Sequence, residues 1–122
     1  MLNLIKNIAH ESVRPIAGEV MYQPGQIVRK TLAQSKHQSL TLFAFGKGEE
    51  IGTHESDGDA MVTALDGMGE ITIDGTEYIL NSDDTIVMPA KKPHAVFAEK
   101  QSKMLLIVFF GGGVRNESDD SP

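Results

Sequence analysis

The stretch ITIDGTEYIL, residues 71–80, reads as two short alternating runs joined by Asp74-Gly75. That dipeptide suits a two-residue type I′ turn, whose central positions both need positive φ, so the stretch predicts a β-hairpin. Working outward, the same texture continues in both directions. QIVRKTLAQ (26–34), QSLTLFAFG (38–46) and MVTALDG (61–67) precede it, and DTIVMPA (84–90), HAVFAE (94–99) and MLLIVFF (104–110) follow. All are rich in β-formers, and Pro, Gly, Asn, Asp and Lys clusters separate them. Many short strands at short spacing, with no long helical period between them, predict an all-β sandwich or barrel.

The ends read differently. Leu4, Ile5, Ile8 and Ala9 share one helical stripe that Pro15 would stop, so residues 1–19 are expected to be an arm containing a short helix, or a loosely ordered arm. Residues 20–110 form the barrel domain. Residues 111–122, GGGVRNESDDSP, cannot bury apolar area and read as a disordered acidic tail.

At 122 residues the chain makes one ordinary domain. A net charge of −6 argues against nucleic acid and anionic membranes as partners. Cysteine is absent, which removes disulfides, thiolate nucleophiles and zinc–thiolate sites. Asn3, Lys6 and Asn7 break the N-terminal apolar residues, so no signal peptide is read, and a cytoplasmic protein is expected.

Two motifs flank the hairpin. Gly48 stands six residues before His54, and Gly67 closes a first motif in register; Pro89 and His94 form a second at matching separation. On these residues the chain resembles the small single-domain cupins. The resemblance implies a jelly-roll barrel in which two histidines and a glutamate of the first motif, with one histidine of the second, bind a divalent metal. Only His54 and His94 are present here. Ser56 takes the second histidine position and Ala60 the glutamate position. Asp83 and Lys91 take glycine positions, and Ala98 takes the asparagine position. The glycine replacements fall in turns, where Asp tolerates a left-handed backbone better than Lys does.

Strand alternation gives an independent reason to pair the histidines. If His54 faces inward so does Ser56, and Glu55 faces away; if His94 faces inward so do Val96 and Ala98. Ala60, Val62 and Ala64 would line the same interior, and their small size leaves room. The expected ligand-binding set is therefore His54, His94, Ser56, Ala60 and Val62, in a pocket mostly apolar with few polar groups. A metal needs more than two ligands. Asp57 and Asp59 flank Gly58 in what reads as a turn that would aim either one inward, so the metal set would be His54, His94, Asp57 and Asp59. It would hold Fe, Mn, Ni or Zn weakly, or no metal at all.

The first functional expectation is a small-molecule-binding barrel, acting as a binding or sensing module. The alternative is a metal-dependent oxygenase, isomerase or lyase acting on a small organic acid. A purely structural or protein-binding barrel fits the enclosed interior and the paired histidines less well. His10 and His37 read as exposed, Lys91 and Lys92 as a solvated turn, and Met61, Met68, Met88 and Met104 as packing. MLLIVFF and TLFAF carry apolar residues on both faces, so the second face needs the arm or another subunit to cover it. The resemblance implies a homodimer to which residues 20–45 contribute.

Overall fold

The computed structural model describes residues 4–111. It contains eight strands: β1 Ile27–Gln34, β2 Gln38–Phe45, β3 Glu50–His54, β4 Gly58–Ile73, β5 Thr76–Asn81, β6 Thr85–Met88, β7 His94–Phe97 and β8 Ser102–Phe110. Every pairing is antiparallel. β4 is the shared wall. Its first half pairs with β6 and β8, which continues through β2 to β1; its second half pairs with β5 and β7, which continues to β3. The two sheets curl around one core, as the predicted jelly roll requires.

MVTALDG and the first half of the hairpin form one continuous strand. A register shift between Ala64 and Asp66 lets this strand serve both sheets. It also changes which residues face inward, from Ala60, Val62 and Ala64 before the shift to Gly69 and Ile71 after it. Gly67, at φ 70°, sits at this bend, where a Cβ would overlap the Gln101 carbonyl oxygen. The hairpin forms as expected: Ile73 pairs with Thr76, and Asp74 and Gly75 have φ of 48° and 85°. Both values fit a type I′ turn.

The inner core joins Phe43, Phe45, Ala60, Val62, Ile71, Leu80, Met88, Val96 and Met104. A second cluster lies on the outer face, where Val20 packs with Leu32, Leu42 and Ala44, and Ile8 and Tyr22 cover them. This explains the two-faced apolar strand TLFAF. Phe43 and Phe45 face the core, while Leu42 and Ala44 lie under the N-terminal arm.

The arm forms no helix over its described residues 4–14; its one helical turn is a 3-10 turn at Ile16–Glu19, after Pro15. Asn7 and Glu11 take positive φ, which interrupts any helical run. A helix this short is marginal alone. The sheet offers better partners, because the Lys6 N–H donates to Leu32 O at 2.8 Å and the Asn7 amide donates to Thr31 O at 2.7 Å. The Lys103 ammonium reaches Ala17 O at 2.6 Å, and the Tyr22 hydroxyl donates to Asp66 at 2.5 Å. Burial, then the hydrogen bond to Asp66 and the Asp66 charge, hold the Tyr22 phenol well above its usual pKa. The tail expected over 111–122 lies outside the described residues from 112 onward.

Beyond the arm's cover, Met61, Val87 and Phe109 stay 36%, 52% and 57% exposed on the outer face. Met61 therefore does not pack in the core. Met88 and Met104 do. Among the described residues no helix is long and apolar enough to cross a membrane.

Candidate functional site

The core borders a cavity of about 360 Å³ that opens to the surface beside His54. Its body is lined by Phe43, Phe45, Ile51, Val62, Val96 and Leu106, and its polar end by His54, Glu55, Ser56, Asp57 and His94. Such a lining, apolar with a few convergent polar groups, is what small-molecule sites have in common.

Strand pairing delivers the two histidines to each other. β7 lies between β3 and β4, and His94 is registered against both His54 and Ile73. His94, Val96 and Ala98 all face inward and are buried. His54 arrives by an irregularity. The register of β3 shifts between Ile51 and His54, so both line the cavity although their odd spacing would separate them on a regular strand. The rings meet edge to face with centroids 4.2 Å apart and Nε2 atoms 3.1 Å apart.

Backbone carbonyls hold the far side of each ring. His54 Nδ1 lies 2.9 Å from Gly52 O, and His94 Nδ1 lies 3.1 Å from Lys92 O. A carbonyl oxygen only accepts, so both Nδ1 atoms carry the hydrogen and donate it. His94 is 4% exposed and His54 is exposed. Burial, reinforced by the neighbouring His54 and opposed by the Lys92 carbonyl, holds the His94 pKa below its usual value.

The other expected residues divide. Ser56, Ala60 and Val62 line the cavity, as does Asp57. Glu55 lines it too, contrary to the alternation argument, because β3 ends at His54 and strand parity stops with it. Ala64 is buried but lies outside the lining. Asp59 does not approach the histidines. It stays on the outward side of β4, between inward Gly58 and Ala60, and its carboxylate accepts the Ala90 N–H at 2.7 Å. The turn that would have aimed it inward is already regular strand. Phe43, Phe45, Leu106, Val108 and Phe110 were not singled out from the sequence. Their alternation on β2 and β8 marked them as one face, but not as the face of a cavity. His10 and His37 are exposed, as are Lys91 and Lys92.

The donor set does not fit a firmly held metal. Among the described residues no three His, Cys, Asp or Glu side chains converge. The glutamate position carries the methyl of Ala60, and the Ser56 hydroxyl already accepts the Gly58 N–H at 3.1 Å. Two imidazoles are fewer ligands than catalytic zinc or a facial-triad iron uses.

The cupin domain family model matches residues 41–110, more than half the chain, so the chain belongs to the cupin family. Similar solved structures include a conserved protein of unknown function from Streptococcus pyogenes, at 45% identity and TM-score 0.87, covering 89% of this chain and 96% of that one. A cupin superfamily protein from Desulfitobacterium hafniense shares 32% identity at TM-score 0.84, over 87% and 97% of the two chains. A cupin 2 conserved barrel domain protein from Leptotrichia buccalis shares 44% identity at TM-score 0.75, over 76% of this chain and 45% of that one. No curated protein matches.

Proposed function

We propose that this cupin is a binding or sensing module whose cavity takes a small, mostly apolar molecule, with His54 and His94 at its polar end. One observation carries the reading: an apolar cavity of about 360 Å³ ends in two imidazoles whose free nitrogens converge. Screening small fragments by chemical-shift mapping tests it. Binders are expected to shift Val62, Val96 and His94, and Ala60→Leu, which fills the cavity from β4, should abolish those shifts. If no fragment moves these residues in the parent protein, the reading fails.

The convergence of two Nε2 atoms also favours a second reading, a metal-dependent oxygenase, isomerase or lyase acting on a small organic acid. Elemental analysis of the parent and of His54→Ala separates the two. Near-stoichiometric divalent metal lost in the variant would put the enzyme first. No metal, and no uptake of added divalent ions, would remove it. We further expect a cytoplasmic homodimer to which residues 20–45 contribute; light scattering that gives a monomer at micromolar concentration would end the dimer proposal.

A further inference from the structure

The hydrogen-bond polarity of the histidine pair narrows the class of ligand. Both Nδ1 atoms donate to main-chain carbonyls, Gly52 O and Lys92 O. When both rings are neutral each Nε2 is therefore a bare lone pair, and the two nitrogens lie 3.1 Å apart. Two acceptors at hydrogen-bonding distance with no hydrogen between them repel. A group that brings a hydrogen to both relieves the repulsion.

We propose that the cavity takes an apolar amine, its ammonium group donating to the Nε2 atoms of His54 and His94. The proposal rests on the small-molecule reading above and specifies the ligand's polar end. A carboxylate or ketone head would add lone pairs to a site already made of them. A hydroxyl offers one hydrogen, whereas a primary ammonium offers three, enough for both rings and a further acceptor. Charge points the same way. Glu55 and Asp57 line the polar end beside the two histidines, and no lysine or arginine does. Lys91 and Lys92 lie exposed on the neighbouring turn, outside the lining. The chain's net charge of −6 also draws cations rather than anions. The aromatic and aliphatic walls of Phe43, Phe45, Val62 and Val96 would receive the ligand's body.

Three probes with the same body and different heads test this by calorimetry: 2-phenylethylamine, 2-phenylethanol and phenylacetate. The amine is expected to bind at least about tenfold tighter than the carboxylate, with the alcohol between them. His54→Ala, at an exposed position that leaves the core packed, should bring the amine and carboxylate within about threefold of each other. Phenylacetate binding as tightly as the amine would overturn the inference while leaving the apolar-cavity reading intact. Failure of all three probes in the parent protein would overturn both. Long-range proton–nitrogen NMR of the histidines gives an independent check. Both rings should carry the hydrogen on Nδ1; an Nε2–H tautomer in either ring, or a divalent ion bound stoichiometrically to the pair, would overturn the proposal.

Discussion

At Lys91 a lysine adopts φ 65°, a left-handed backbone that costs a residue with a Cβ roughly 1–2 kcal/mol. Asp83 does the same at φ 77°. Both stand where the family pattern has glycine, so the loop shapes survive the loss of the residue that makes them easy. The surroundings hold Lys91 in place: its N–H donates to Ser56 O at 2.7 Å, tying the turn before His94 to the segment after His54. Lys91→Gly should therefore raise stability by about 0.5–1 kcal/mol, after allowing for the greater freedom of glycine when unfolded. Urea denaturation measures this, and a loss instead of a gain would mean the lysine side chain itself matters. His94 sets a pH dependence at the same scale. Burial holds its folded pKa below the unfolded value near 6.5. The folded state thus prefers the neutral ring, and the stability this contributes is complete above pH 6.5 and lost as pH falls from there toward the lowered folded pKa. Melting temperatures should drop more steeply between pH 7 and pH 5 in the parent than in His94→Asn.

Among the elements, β4 governs the architecture, because one strand of sixteen residues serves two sheets. Its register shift and Gly67 make this possible. Two glycine substitutions separate backbone strain from collision. Gly67→Ala meets both a positive φ of 70° and the Gln101 carbonyl, and should cost about 2–4 kcal/mol. Gly48→Ala meets only φ 83° with open space around it, and should cost about 1 kcal/mol. Equal losses in chemical denaturation would refute the role given to the Gln101 contact. The sequence shows β4 as two strands because a bulge breaks the alternation that marks a strand. The hairpin turn was legible, since its geometry depends on two adjacent residues. The arm was not: its apolar residues fit a helical stripe, and only the free carbonyls of Thr31 and Leu32 decide against the helix.

For the whole molecule, a second apolar layer matters as much as the enclosed core. Val20, where the arm joins the barrel, packs with Leu32, Leu42 and Ala44, and Ile8 of the arm packs against them, so the arm is part of the folded domain. Val20→Ala removes two buried methyl groups and should destabilise the domain by about 2 kcal/mol. A cost below about 0.5 kcal/mol in thermal unfolding would show that the arm only rests on the sheet.

By itself the sequence determined the fold class and the hairpin, because alternation and turn chemistry are local properties. The pairing of His54 with His94 it offered only through a family resemblance and an assumed regular strand, and β3 reaches that pairing through a register shift. Only the tertiary structure decided how the nearby acids are used. Asp57 and Glu55 line the cavity while Asp59 binds the Ala90 N–H, since side-chain direction near a strand end depends on where regular pairing stops. It alone also revealed the close approach of the two Nε2 atoms: each ring is oriented by a carbonyl two residues before it, Gly52 O or Lys92 O, but only the pairing of β3 with β7, distant in the chain, brings the rings together.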